Sequence, residues 1–253
     1  MPAAPPRRVV SLVPSTTETV CAFGFADRLV GCTRYCVEPA APLAAVQRIG
    51  GTKNPARDAI AALRPDLVLG NAEENRPEDL EWLAARVPTL VQTPRTVPAA
   101  THALRELAER LGAPSAAEPF VRRIDAEVAA LAADPPTAPV RVYYAIWRKP
   151  WMTVSGDTFV HDVLQRVGCV NVAGADAARY PELSPGEAVA RGVELVLLAS
   201  EPWPFDAAER DELARAGAFG PARLVTCDGR DFCWHGARMA AGLGRAFRLV
   251  RSA

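Results

Sequence analysis

Large aromatic side chains in the predicted loops of this sequence are the residues best suited to contact a ligand. The candidates are Tyr35, Trp147, Trp151, Tyr180 and Trp234. Tyr35 follows the second predicted strand, and Trp147 and Trp151 follow the strand that opens the second half. Tyr180 lies in a loop before Pro181, and Trp234 lies just before the last predicted helix. All five are therefore expected outside the hydrophobic core. Rigid, flat rings at such positions favour the burial of a wide and largely apolar ligand. For any single ring, the alternative that it only caps its own half of the protein stays open.

Charged side chains alternate with these rings and can orient the polar edges of a ligand. The candidates are Glu73, Glu74, Arg148 and Arg238. The Glu73-Glu74 pair follows one predicted strand and Glu201 follows the corresponding strand of the second half, so we expect these carboxylates to face each other across a cleft. Charged loop residues are also commonly just solvated, and that interpretation stays open.

No motif for catalysis accompanies these residues. The sequence has no P-loop, no His-Glu-x-x-His and no Gly-x-Ser-x-Gly, and Gly242-Leu-Gly244 lacks both a third glycine and a preceding strand. His102, His161 and His235 form no helical i, i+4 pair, so we interpret them as surface or capping residues. The six cysteines form no Cys-x-x-Cys pair and are predicted to be mostly buried thiols. We therefore expect no catalytic residue, no metal site and no intrinsic cofactor.

The elements that must position these residues alternate between strand and helix in both halves of the chain. Strands are predicted at 8–13, 66–69, 89–91, 140–146, 193–198 and 223–226, with helices at 158–167 and 237–250. Ser15, Thr16 and Thr17 are expected to cap a helix after the first strand, and Asn54-Pro55 to begin another. Residues 55–69 and 185–198 share a local pattern, an acid in the first helical turn before a buried strand. Such alternation predicts parallel sheets flanked by helices.

A helical pattern runs from about residue 98 to residue 133 and is interrupted at Gly112-Ala-Pro114. The proline-rich segment 134–139 cannot continue it. We therefore predict an N-terminal α/β lobe at 1–112, a connecting helix and proline-rich link at 113–139, and a C-terminal α/β lobe at 140–253.

Composition excludes several classes of function. Acidic and basic residues balance at 29 each, so no basic field is available to bind nucleic acid. The 49% hydrophobic content is ample for the cores of a globular protein. The apolar run at 9–13 is too short for a signal peptide, and no segment is long enough to span a membrane. We expect a soluble monomer. Because no signal peptide is recognised, the sequence leaves open whether the protein acts outside the cytoplasmic membrane or in the cytoplasm.

Four phrases of the chain resemble a known family: Arg-Val-Val-Ser-Leu-Val-Pro-Ser-Thr-Thr-Glu at 8–18, Leu-Val-Gly-Cys-Thr-Arg-Tyr at 29–35, Ile-Ala-Ala-Leu-Arg-Pro-Asp-Leu-Val at 60–68, and Ser-Gly-Asp-Thr-Phe at 155–159 with the following Gly168 and Asn171. They are similar to the periplasmic binding proteins of the cobalamin and ferric-siderophore type. This resemblance implies two Rossmann-like lobes joined by a single long backbone helix. It also implies ligand contacts near Tyr35, Trp151, Tyr180 and Trp234.

By the same resemblance, Asp58 and Glu187 would dock onto an ABC permease, although acids at helix starts also simply favour the helix dipole. Cobalamin-binding members place a Trp where this chain has Gly51-Thr52-Lys53. The expected function is a substrate-binding protein of an ABC-type importer that binds cobalamin or a related corrinoid. The alternatives are a ferric-siderophore or heme receptor, an intracellular corrinoid or metal-cofactor chaperone or enzyme acting through Glu74 or His235, and a module that binds a peptide or protein.

Overall fold

Strands and helices alternate along residues 4–253, the part of the chain that this computed structural model describes. The strands are β1 (Val9–Ser11), β2 (Leu29–Cys32), β3 (Gln47–Arg48), β4 (Leu67–Gly70), β5 (Thr89–Val91), β6 (Val140–Ala145), β7 (Trp147–Arg148), β8 (Trp151–Met152), β9 (Cys169–Asn171), β10 (Leu195–Ala199) and β11 (Arg223–Cys227). The helices are α1 (Pro14–Ala22), α2 (Ala40–Leu43), α3 (Arg57–Ala62), α4 (Pro77–Ala84), α5 (Val97–Arg110), α6 (Glu118–Ala133), α7 (Phe159–Arg166), α8 (Pro185–Ala190), α9 (Ala207–Arg215), α10 (Arg230–Cys233) and α11 (Met239–Ser252). Within residues 4–253, none of these helices combines the length and the apolar character needed to cross a bilayer.

The first sheet has the strand order β3-β2-β1-β4-β5, and all neighbouring strands are parallel. Val9 of the central strand pairs with Leu29 on one side and Leu67 on the other. Every residue of β1 and β4 is buried, as expected for parallel strands covered on both faces. The chain order reverses between β1 and β4, which makes their carboxyl ends the topological switch point of this sheet.

The second sheet is built the same way, in the order β11-β10-β6-β9, and is also parallel throughout. All five residues of β10 are buried. Its switch point lies between β6 and β10. The short antiparallel hairpin of β7 and β8 directly follows the carboxyl end of β6.

Each sheet has its own hydrophobic core. In the first core, Val10 and Val68 of the sheet pack with Ile60 of α3 and Leu83 of α4. In the second, Tyr143 and Val196 belong to a cluster with Leu213 of α9 and with Phe219. The alternation of strand and amphipathic helix thus produces two separate layered cores.

The described chain divides into two compact units, one of residues 4–94, 98–122 and 235–237, the other of residues 95–97, 123–234 and 238–253. Helix α6 begins in the first unit and ends in the second, and it lies within the predicted connecting segment 113–139. The interruption predicted before it is also present, because Gly112 adopts a φ of +71°, which favours glycine. The predicted α/β class with two parallel sheets is confirmed.

Two predicted helix starts are wrong. The first helix begins at Pro14 with Val13 before it and no side-chain cap. Thr17 instead lies inside the helix and donates its hydroxyl hydrogen back to the carbonyl of Val13 at 2.9 Å, because proline already fixes the first helical position. Likewise α3 begins at Arg57, since Pro55 is held in a bridge with Gly50.

Candidate functional site

Tyr35, Glu73 and Glu74 lie after the carboxyl ends of parallel strands in the first sheet, at one edge. Tyr35 follows β2 and is 51% exposed, an unusual position for so large a ring. The guanidinium of Arg34 lies 5.0 Å from the centre of that ring and donates to the Tyr35 hydroxyl at 3.1 Å. The phenol is therefore presented to solvent with a cation beside it.

Two buried asparagines hold the loop that carries Glu73 and Glu74. The side-chain oxygen of Asn71 accepts hydrogen bonds from the backbone amides of both glutamates, at 2.7 and 3.3 Å. Asn75 accepts from the Asn71 amide at 2.8 Å and donates to the Thr52 carbonyl at 2.9 Å. Both asparagines are almost fully buried. This amide network fixes the two partly buried glutamates next to the loop that contains Thr52.

The same edge extends from that loop to Tyr35. Lys53 donates from Nζ to the carbonyl of Glu73, and the amide of Arg34 donates to the carbonyl of Gly50 at 2.8 Å. Gly50 adopts a φ of +94°, a conformation that side-chain-bearing residues rarely accept. Three loops, 33–36, 50–54 and 71–75, are therefore joined into one surface within the first unit.

His235 joins this surface through Asn71, whose amide nitrogen lies 3.1 Å from Nε2 of the ring. Burial lowers the pKa of His235 to about 4, because the protonated imidazole would be poorly solvated there. His235 is therefore not a fully exposed surface histidine, while its interpretation as a capping residue stays a prediction. His161 is likewise partly buried, with its ring 3.3 Å from the Asn171 amide.

In the second unit, Trp147 lies on the hairpin that follows β6, at the switch point of the sheet. Its ring is 37% exposed and meets the ring of Trp203 edge-on, with 5.1 Å between centres. The indole nitrogen donates to the Lys149 carbonyl at 3.0 Å. Trp203 belongs to this surface but was not among the predicted ligand contacts. Trp203 lies between two prolines after β10, and this loop position was the sequence signal that could have marked it as a ligand contact.

Arg148 is bound by two glutamates of α9. It donates to Glu209 at 2.8 Å and to Glu212 at 2.6 Å, and its side chain is only 18% exposed. These carboxylates raise the pKa of Arg148 above its usual value. The guanidinium thus braces the hairpin on α9, an arrangement that competes with the predicted contact to a ligand.

Trp151 packs inward. Its ring stacks on Phe205 at 5.8 Å and meets the edge of Phe219 at 5.3 Å and of Tyr143 at 6.5 Å. It borders the core of the second sheet. The structure therefore gives Trp151 a packing role of its own, while Trp147 on the same hairpin is turned to solvent.

Trp234 and Arg238 follow β11 at the same edge. The indole nitrogen of Trp234 donates to Glu201 at 2.6 Å, and the Arg238 guanidinium lies 5.1 Å from the ring centre. Glu201 also accepts from the thiol of Cys233 at 3.1 Å. Glu201, singled out from its position after β10, is therefore the acceptor that fixes Trp234.

Tyr180 is 39% exposed in the long segment after β9. The backbone around it is held along the segment that follows β8, by hydrogen bonds from the Ser155 amide to the Arg179 carbonyl and from the Thr153 amide to the Pro181 carbonyl, both 3.0 Å. In the second unit the loops after β6, β9, β10 and β11 therefore contribute Trp147, Tyr180, Glu201 and Trp234 to one sheet edge.

The two acids of the repeated pattern both lie exposed in the first turn of a short helix, Asp58 in α3 and Glu187 in α8. They differ in local contacts. Glu187 accepts from the Ser184 amide at 2.8 Å and hydroxyl at 2.5 Å, which completes a capping box and lowers the pKa of Glu187. Helix α3 has no side-chain cap.

Parallel doubly wound sheets with aromatic and charged side chains at their carboxyl edges define a ligand-binding α/β protein. Comparison with known proteins agrees. The profile of the periplasmic binding protein family matches residues 9–217. A vitamin B12-binding protein of Vibrio parahaemolyticus is 31% identical over 196 residues, which are 76% of this chain and 70% of the relative.

Solved structures share the fold over nearly the whole chain. The periplasmic vitamin B12-binding protein BtuF of Vibrio cholerae superposes with a TM-score of 0.80 at 19% identity, covering 98% of this chain and 97% of that one. A periplasmic heme-binding protein from Pseudomonas aeruginosa gives 0.80 at 25% identity, covering 96% and 92%. The chain belongs to the periplasmic binding protein family, and the resemblance seen in its sequence is confirmed. A substrate-binding role follows, whereas the absence of catalysis and the individual ligand contacts stay predictions.

Proposed function

We propose that the chain is the substrate-binding component of an ABC-type importer and that its ligand is cobalamin or a related corrinoid. The curated relatives are vitamin B12-binding proteins, and the family to which the chain belongs is periplasmic. A corrinoid is a wide ring with apolar faces and amide edges. It suits a surface on which flat rings alternate with charged and amide groups.

One observation carries this proposal: three large aromatic rings are exposed at the carboxyl edges of the sheets. Tyr35, Trp147 and Tyr180 are 51%, 37% and 39% exposed. A ring of this size buries about 150–250 Å² when it is covered, and burial of apolar surface contributes about 25 cal/mol per Å². Exposed rings therefore lack stabilising free energy that a bound ligand would supply. The Tyr35 hydroxyl accepts from Arg34 and keeps its own hydrogen to donate to a polar ligand edge.

The test is a titration of the purified protein with cyanocobalamin, followed by tryptophan fluorescence and by the visible spectrum. Saturation near one equivalent is expected. Trp147→Ala should weaken binding by about 2 kcal/mol, roughly 30-fold in Kd. Trp82→Phe is the matched control, because Trp82 lies on helix α4 against Arg86 and should bind like the unaltered protein. Absence of binding, or equal affinity of both variants, would contradict the proposal.

Heme is a second candidate ligand, favoured by the exposed Tyr35 hydroxyl with Arg34 beside it. A phenol oxygen is a known axial ligand of heme iron. Titration with hemin separates the two candidates, since Tyr35→Phe should abolish a tyrosine-ligated ferric spectrum. The same substitution should change cobalamin affinity only modestly, because the ring remains.

The permease partner is proposed through Asp58 and Glu187, which extend exposed carboxylates from short helices. Charge reversal at both positions, Asp58→Lys with Glu187→Lys, should abolish ligand uptake by cells that depend on this protein. Ligand affinity in solution should remain unchanged. Loss of affinity, or full uptake by the double variant, would argue against docking through these acids.

A further inference from the structure

Cys32 and Cys36, called here the thiol pair, share one pocket of the first unit. Cys32 ends β2, and a turn closed by the Cys36 amide donating to the Thr33 carbonyl at 3.1 Å brings the chain back. Both side chains are fully buried, and one guanidinium nitrogen of Arg48 contacts both the Cys32 sulfur and the Cys36 carbonyl oxygen. The two cysteines are therefore held together in one buried turn, the placement that a disulfide bond between them requires.

The polar surroundings of the thiol pair are unlike those of an ordinary buried cysteine. The Thr17 hydroxyl shares its one hydrogen between the Val13 carbonyl at 2.9 Å and the Cys36 sulfur at 3.1 Å, and the Thr33 hydroxyl lies 3.2 Å from the same sulfur. Arg48 donates to the Cys32 sulfur at 2.9 Å and to the Cys36 carbonyl at 2.7 Å. Hydroxyl donors and a guanidinium stabilise sulfur as a thiolate.

The acidity of the two thiols follows this arrangement. Hydrogen bonds from Cys32 first, and then from Thr17 and Thr33, hold the pKa of Cys36 well below its usual value in spite of burial. The pKa of Cys32 is raised, because its thiol is the donor in that bond. By contrast burial alone raises the pKa of Cys169 to about 12. These shifts favour a thiolate on Cys36 and a proton on Cys32.

We propose that Cys32 and Cys36 form a redox-active dithiol that closes to a disulfide on reaction with a small disulfide such as oxidised glutathione. The Cys36 thiolate attacks one sulfur of oxidised glutathione, forming a mixed disulfide and releasing one glutathione thiolate. Cys32 then loses its proton and attacks the Cys36 sulfur, which releases the second glutathione thiolate. Two electrons pass from the thiol pair to glutathione, the one proton from Cys32 is taken up by a glutathione thiolate or by water, and one Cys32–Cys36 bond forms.

The turn provides a route for the reagent. Tyr35 and Val37, on either side of Cys36 in sequence, are 51% and 55% exposed. Because Cys36 itself is fully buried, the proposed reaction requires a local opening of this turn. The inference is independent of the proposed ligand, since the chemistry needs only the thiol pair and a disulfide.

The chain itself supplies a direct assay, because trypsin cleaves after Arg34, between the two cysteines. The full chain is equilibrated for hours in glutathione redox buffers, quenched in acid, unfolded, alkylated and digested without reductant. The expected product is peptide 29–34 joined by a disulfide to peptide 35–48, with the other four cysteines alkylated. The rate of oxidation should level off at a pH well below the usual pKa of a cysteine.

Three variants sharpen the assay. Cys36→Ser should abolish the reaction, Cys32→Ser should stop at a glutathione adduct on Cys36, and Cys169→Ser should behave like the unaltered protein. Peptides 29–34 and 35–48 that remain alkylated in the most oxidising buffer would overturn the proposal. So would a linked peptide that pairs either cysteine with Cys21, or one that forms only in denaturant.

Discussion

The two sheets are both parallel, but the side chains at their carboxyl edges have opposite chemistry. At the first edge, loops are joined by backbone and amide hydrogen bonds through Asn71 and Asn75, and a single exposed ring, Tyr35, extends from them. At the second edge, indole and phenyl rings pack on one another, and Glu201 fixes Trp234. One fold therefore supports a polar surface and an aromatic surface, because the loops after the strands do not contribute to the sheet hydrogen bonds.

The largest effect is expected when the ring packing of the second edge is broken. Trp151→Ala removes contacts with Phe205, Phe219 and Tyr143 and should lower the free energy of unfolding by about 3 kcal/mol. Urea denaturation followed by circular dichroism measures this loss. Trp147→Ala on the same hairpin should cost less than about 1 kcal/mol, because its ring is already partly in water. Equal losses would show that both rings serve packing.

A smaller loss is expected at the first edge. Asn75→Ala leaves the Asn71 amide and the Thr52 carbonyl without their partner, and should lower the free energy of unfolding by about 2 kcal/mol. The same denaturation experiment checks it. Asn54→Ala is the matched control, since Asn54 is exposed and should change stability little. A neutral Asn75→Ala would mean that water replaces the amide network.

Smaller effects are expected at the starts of α3 and α8, the helices that carry Asp58 and Glu187, because only α8 has a side-chain cap. Ser184→Ala removes the capping box of α8 and should cost about 1 kcal/mol. Ala56→Ser places a hydroxyl before α3, which has no side-chain cap, and should raise stability by a few tenths to about 1 kcal/mol. Thermal unfolding of both variants would show shifts of opposite sign. If both substitutions lowered the melting temperature, a hydroxyl at position 56 would not cap α3 as Ser184 caps α8.

The smallest effect at neutral pH is expected for His235→Gln. His235 has a pKa of about 4 in the folded protein and 6.5 when exposed. Between these values the unfolded chain binds more protons, so the free energy of unfolding falls as the pH falls from 6.5 towards 4. Urea titrations at several pH values should show a shallower acid slope for the variant. An unchanged slope would mean that His235 titrates alike in both states.

The amino-acid sequence by itself determined the fold class and the positions where the long helical stretch is interrupted. Apolar runs such as 67–70 and 195–199, separated by helical periodicity, define parallel strands, and Gly112 interrupts the long helical stretch. The sequence also showed which residues follow the strands, because a residue that comes directly after a buried strand lies outside the core. The family resemblance rested on these local phrases.

Only the tertiary structure decided which of those residues are turned to solvent. Trp147 and Trp151 are four positions apart on one hairpin, yet one is exposed and the other packs on Phe205. Nor does spacing along the chain show that Thr17 contacts the Cys36 sulfur and that Arg48 contacts the Cys32 sulfur. These outcomes depend on contacts between residues distant in sequence, and such contacts form only when the sheets and helices have packed.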